Sequence, residues 1–312
     1  LANLYDKTLI RNRLSYDFAS EVGGCHYTPR TEYVDVYLNN RFLGNYLMTQ
    51  AVGEGKEKVD IDITKNEFLF EYEPFVGYSN PNCIATPILG ILLGFNEPEQ
   101  PTAEQFEWLN LFLAEAESAL VSYDFERIAE YFDIDSFVDF YIVNELFKDV
   151  DFSTSSTRFY LKKGRLYAGP LWDMDLSSGN VSEEAGYYGE YWNSNTSGDS
   201  TESFYCRKIW YRELFGCQKF GELVRKRYAK LQPQIVNLTT DNELGLNRID
   251  RLIAKYGKSF AANYEKAGWS VSYVYGEFES RYPAKTYEGN VEYLREWLIR
   301  RNAWLLHELG IS

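Results

Sequence analysis

The spacing of hydrophobic residues changes period at Gly23-Gly24, and that change constrains the fold more than any other feature of the chain. Before it, Leu9, Ile10, Leu14, Phe18 and Ala19 recur at helical spacing, so Asp6 to Val22 reads as a helix stopped by the glycine pair. After it, Tyr33-Val34-Asp35-Val36-Tyr37-Leu38 alternates as a strand does. Asn39-Asn40 is a turn, and Phe42 to Thr49 returns as a second strand. Phe68-Leu69-Phe70-Glu71-Tyr72 is a third strand, stopped by Pro74. Residues 1–73 therefore read as a small lobe of helix, hairpin and strand.

The rest of the chain has a different texture. Residues 74–102 hold five prolines and read as a connector with some apolar content. Ala103 to Ser122 is an amphipathic helix carrying Phe106, Leu109, Leu113, Ala116 and Leu120 on one side. Asp135 to Lys148 is a second helix, with Asp133 or Asp135 as its N-cap. A hairpin follows, Thr157–Lys162 and Arg165–Ala168 around a Lys163-Gly164 turn. Residues 176–203 read as a long polar loop, and further helices are expected near 204–215, 218–236, 241–265 and 288–309. The expected fold class is α+β, in two lobes: 1–73, and a mostly helical 74–312.

Composition narrows the function classes. A net charge of −14 argues against nucleic acid and anionic membrane surfaces as partners. The 26 Tyr and 7 Trp suit either a ring-rich core or a carbohydrate- or peptide-facing surface. The four cysteines form no C-x-x-C pair, which argues against a zinc site, although Cys206 and Cys217 could meet. His26 and His307 lie far apart, which disfavours a Ser-His-Asp triad. Three N-x-Ser/Thr triplets, at Asn180, Asn195 and Asn237, are of the kind that arises by chance. No signal peptide or long apolar stretch is visible, and a start at Leu1-Ala2-Asn3 without Met suggests a segment of a longer parent.

Two acidic clusters stand out as candidates for the chemistry. One is Asn144-Glu145-Leu146-Phe147-Lys148-Asp149-Val150-Asp151, at a helix end. The other is Trp172-Asp173-Met174-Asp175, directly after the hairpin. Element ends present side chains to sites. In an extended segment Asp173 and Asp175 share a face, where they would repel unless a cation joined them. Magnesium suits such a pair, because it takes one or two carboxylates and completes its shell with phosphate oxygens and water. Taken alone, the Asp-x-Asp run reads more readily as a solvated acidic loop.

The order of motifs adds more. Asn3-Leu4-Tyr5-Asp6-Lys7-Thr8-Leu9-Ile10-Arg11-Asn12 comes first, then Val36-Tyr37-Leu38-Asn39 with Gly44-Asn45-Tyr46-Leu47, then Phe68-Leu69-Phe70-Glu71. The first acidic cluster follows, then Gly169-Pro170-Leu171-Trp172-Asp173-Met174-Asp175 with Gly179-Asn180, then Trp210, Leu214, Phe220 and Arg227. Over residues 1–230 this order resembles the CotH kinase family, the spore coat protein H-like proteins.

That resemblance implies an atypical protein-kinase-like fold and Mg2+- or Mn2+-dependent transfer of phosphate from ATP to Ser or Thr of a protein rich in those residues. It places Asp151 as the carboxylate that orients the acceptor hydroxyl and takes its proton, with Asp149 as the competitor. It places Asp173 as the metal-binding aspartate, supported by Asp175, with Ser156 where kinases carry a metal-binding Asn. Glu71 and Tyr72 fall at the expected hinge, where backbone groups would meet adenine. Arg11 and Asn12 lie on the helix standing in for the kinase αC helix. Arg11 there either points at phosphate or a cleft carboxylate, or forms a structural pair with Asp6 or Asp17. The glycine-rich strands and phosphate-binding Lys expected before that helix are not in the sequence, and Lys7 lies too close to the helix for that part. The resemblance also implies a spore-coat, cell-surface or secreted setting. Two other readings stay open: a non-catalytic pseudokinase module among other domains of a larger, polysaccharide-degrading parent, and a metal-dependent hydrolase or glycosyltransferase using the Asp-x-Asp pair.

Overall fold

Helix α1 (Arg11–Glu21) begins later than the hydrophobic spacing suggests, because Asp6 folds the chain into a capped turn first. Its carboxylate accepts from the Thr8 N–H at 2.9 Å and from the Arg11 N–H at 2.8 Å. One buried side chain thus closes the turn before the helix and satisfies one orphan donor of its first turn. The computed structural model describes residues 1–3, 5–74, 82–152, 156–180, 198–201, 204, 206–271 and 284–311. The sequence-predicted loop at 176–203 and the Asn195 triplet fall largely or wholly outside them.

Strands β1 (Thr31–Leu38) and β2 (Arg41–Thr49) form a separate two-stranded antiparallel sheet. Asn39 and Asn40 both take positive φ, 49° and 62°, as a two-residue hairpin turn requires. At Gly44, φ is 136° and an added Cβ would meet the Trp269 ring at 2.8 Å, so only glycine allows that approach.

Strand β3 (Phe68–Tyr72) is the central strand of a five-stranded antiparallel sheet. The order is β4 (Cys83–Ala85), β5 (Leu92–Glu97), β3, β6 (Arg158–Lys162), β7 (Arg165–Ala168). Phe70 pairs with Phe95 on one side and Phe159 on the other. The sheet therefore crosses the boundary expected between residues 73 and 74. The proline-rich connector supplies β4 and β5, whose Ile91-Leu92-Leu93-Gly94-Phe95 run is a buried strand without alternation.

Helix α2 (Ala103–Val121) opens with a reciprocal capping box between Thr102 and Gln105. Helix α3 (Phe125–Tyr131), which the hydrophobic spacing did not reveal, is capped by Asp124. Helix α4 (Ile134–Phe147) is capped by Asp133, whose carboxylate accepts the Ser136 N–H at 3.0 Å. From Ser136 to Phe147 every residue of α4 is buried, so it is the central post of the molecule. It packs against α1, β7, α6 (Gln218–Lys230) and α9 (Tyr287–Glu308).

The remaining helices are shorter than expected. Between 204 and 215 only α5 (Tyr211–Leu214) is α-helical among the described residues, and α7 (Gln232–Val236) follows α6. Helix α8 (Arg248–Glu265) starts after a turn in which Asp241 accepts the Asn247 N–H at 3.0 Å, and Asn247 then caps the helix. One hydrophobic core runs from Leu9 to Leu305. Tyr16, Tyr141, Tyr211, Tyr228, Trp210 and Trp297 are fully buried in it, so many of the rings serve packing. All four cysteines are free thiols, and among the described residues no helix is long and apolar enough to cross a membrane.

Candidate active site

Two loops meet at the end of α4. The helix stops where Lys148 turns left-handed, with φ 51°, and this throws Asp149-Val150-Asp151 out of the helical path. The second loop runs from β7 through Leu171 into a 3-10 turn at Met174–Leu176, with Asp173 itself left-handed at φ 59°. Backbone hydrogen bonds clamp the loops together. Val150 N donates to Leu176 O at 3.3 Å, and Ser178 N to Phe147 O at 2.6 Å. Asp149, Asp151, Asp173 and Asp175 thereby come close enough to act on one another's ionisation.

Helix α1 fixes the second loop from behind. The Tyr16 hydroxyl accepts the Asp173 N–H at 2.9 Å, and Asn12 Oδ1 accepts the Met174 N–H at 2.7 Å. Asn12 Nδ2 is turned to Asn3 at 3.2 Å. Arg11 is 3 % exposed. Its Nη1 pairs with Asp6 at 2.6 Å, Nε donates to Ser177 O at 3.0 Å and Nη2 to Ser178 O at 3.3 Å. Arg11 and Asn12, expected at the cofactor, are both enclosed and bonded to the loop, whose course they shape. Of the two structural partners foreseen for Arg11, Asp6 is the one used, and Asp17 pairs with Arg13. Asn180 closes the loop, donating to Tyr5 O at 2.9 Å and Asp175 O at 2.8 Å.

The four carboxylates are in electrostatic conflict. Burial, then repulsion from Asp173, pushes Asp151 up to about 7. Burial, then Asp173, Asp6 and Asp151, pushes Asp175 up to about 8. Asp149 goes well above the usual carboxylate range for the same reasons, burial first. Asp173 also rises through burial, but the Arg158 guanidinium pulls against the rise. Among the described residues no Lys or Arg forms an ion pair with any of the four. A divalent cation would reverse the balance, favouring the ionised forms. Among the described residues no three His, Cys, Asp or Glu side chains converge as a cation cage. A site of two carboxylates does not need one, since magnesium draws its other ligands from phosphate oxygens and water, so hard-oxygen donors such as Asp173 and Asp175 fit it.

Glu71 and Tyr72 end the strand that the sequence predicted. Both lie in the central strand, Glu71 opposite Gly94 and Arg158, and Tyr72 opposite Leu93. Tyr72 N donates to Thr157 O at 2.8 Å. A flanked strand spends backbone groups in the sheet, and Glu71 is paired on both sides at the place expected to face adenine. The Glu71 carboxylate instead accepts the Ser156 N–H at 3.1 Å and pairs with Arg158 Nη2 at 2.9 Å. Ser156 is thus tied to the rim of the acidic cluster through its backbone, in a left-handed conformation with φ 53°. Residues 153–155 lie outside the described residues.

Three residues at this site escaped sequence reading. Tyr16 looked like ordinary helix, and Arg158 like a strand residue. Trp172 stood in the motif without a role, yet its ring lies 5.4 Å from the Arg158 guanidinium. No curated protein matches the sequence. The sequence model for CotH kinase protein matches residues 1–305, and the α+β fold is that of an atypical, kinase-like protein. The chain belongs to the CotH kinase family.

Proposed function

We propose that this kinase-like protein transfers the γ-phosphate of ATP to a Ser or Thr hydroxyl of a protein substrate, with Mg2+ or Mn2+. The observation that supports this reading best is the meeting of two acidic loops held together by backbone bonds, whose buried carboxylates form no ion pair among the described residues. Asp173 and Asp175 would hold the metal, which neutralises phosphate charge when bound. Asp151 orients the acceptor hydroxyl and takes its proton. An acidity near 7 suits that task, because a base poised at working pH combines the right protonation state with enough driving force. Asp149 is more deeply buried, at 3 % against 7 % exposure, and serves better as a neighbour that tunes Asp151. The rest of the work is positioning. Tyr16 and Asn12 hold the Asp173-Met174 backbone, and Arg11 holds the carbonyls beyond it.

The test is transfer of labelled phosphate from ATP with magnesium to a Ser-rich protein. Asp151→Asn should lower the rate by roughly 10²- to 10⁴-fold, the usual worth of a positioned base, and Asp173→Ala should abolish transfer. Undiminished labelling in both variants would overturn the assignment. A non-catalytic module is the second reading, favoured by the engagement of Glu71 and Tyr72 within the sheet. It predicts no ATP binding by calorimetry.

A further inference from the structure

Arg158 carries an unexplained donor beside the acidic loops. Its side chain is 13 % exposed and lies at the start of β6. One edge of the guanidinium is committed, Nη2 donating to Glu71 at 2.9 Å. One face lies over the Trp172 ring. Nη1 is buried and, among the described residues, has no hydrogen-bond partner. An enclosed donor left without an acceptor is costly, and native proteins tolerate few of them. Trp172 immediately precedes Asp173, so this contact sets the guanidinium beside the acidic motif. Yet among the described residues no hydrogen bond joins the Arg158 and Asp173 side chains.

The geometry points to Arg158 as a phosphate-binding residue, which rests on the phosphoryl-transfer reading above. Its Nη1 donates to an anionic oxygen of the polyphosphate chain seated beside Asp173. Arginine suits this place where lysine would not. A planar fork can hold Glu71 with one edge, lie flat on Trp172 and still offer a second edge to an oxyanion. Glu71 and Trp172 thereby fix the guanidinium before the ligand arrives. Arg11, the cation to which the sequence drew attention, is already engaged by Asp6 and two carbonyls and cannot serve.

Calorimetric titration of the whole chain with magnesium ATP, and separately with magnesium tripolyphosphate, tests this. The unaltered protein should bind both, and Arg158→Gln should bind each at least about tenfold more weakly, the scale of one charge-assisted hydrogen bond. Arg158→Lys keeps the charge and loses the fork. It should also weaken both ligands, and it stands in if the glutamine variant does not fold. Full affinity in either folded variant, alongside a lowered melting temperature, would make Arg158 a structural counter-ion only and leave the kinase reading in place. Weakened ATP binding with unchanged tripolyphosphate binding would also overturn the phosphate contact. Failure of the unaltered protein to bind either ligand would overturn both proposals together.

Discussion

Helix α4 and the loop that leaves it carry two kinds of buried acid within a few residues of each other. Glu145 is 2 % exposed and fully matched. It pairs with Arg301 Nη2 at 2.5 Å, and its other oxygen accepts the Cys206 N–H at 2.8 Å. Asp149 and Asp151 are buried nearly as deeply, yet among the described residues no cation pairs with them. The same contrast recurs elsewhere. Asp6 is neutralised by Arg11, Asp139 by Arg227, and Glu117 accepts from Ile88 N, Leu89 N and the Trp210 indole. Where a carboxylate holds the fold together, the fold supplies its partner. Where four carboxylates are buried against one another, no such partner is supplied among the described residues, which is the pattern of a functional rather than a structural cluster.

The sharpest way to break this comparison is to make one change of the same kind on each side. Glu145→Gln leaves Arg301 buried without its counter-charge and should cost about 3–5 kcal/mol in chemical denaturation. Asp175→Asn removes a repelled charge and should raise stability by on the order of 1 kcal/mol at pH 8, while abolishing transfer. Equal destabilisation by the two would erase the distinction between structural and functional acids.

A smaller effect concerns pH. Asp151 and Asp175 are raised in the folded state, to about 7 and about 8, above their unfolded values. The folded protein therefore binds more protons than the unfolded chain across that interval, and stability falls as pH rises through it. Without magnesium the melting temperature should drop between about pH 5 and pH 8, and magnesium with nucleotide should flatten the slope. A melting temperature that rises over this range would contradict the electrostatic account.

Local signals were legible where residues near in sequence decide the outcome. The period change at Gly23-Gly24 marks α1 and the following hairpin, Lys163-Gly164 marks the β6–β7 turn, and Asp133 marks the start of α4. The acidic motif was legible because its residue types are rare together. What stayed hidden depends on distant partners. Strands β4 and β5 are short and lie among prolines; β5 forms on the edge that β3 offers, and β4 on the edge of β5. Helix α3 is a brief segment held by its Asp124 cap. Arg11 reads as an active-site cation until its acceptors appear at Ser177 and Ser178, which no spacing rule connects to residue 11. Arg158 reads as an ordinary strand residue until its neighbours Glu71 and Trp172 leave one donor over.

The most direct test is proton release on ligand binding. Titration with magnesium ATP at pH 7 in two buffers of different ionisation enthalpy counts the protons exchanged. If the acidic loops form a cation site, the protons held by Asp175 and in part by Asp151 must leave as the complex forms. The account predicts net proton release, reduced in Asp175→Asn. Binding without proton exchange, or with the same exchange in that variant, would contradict it.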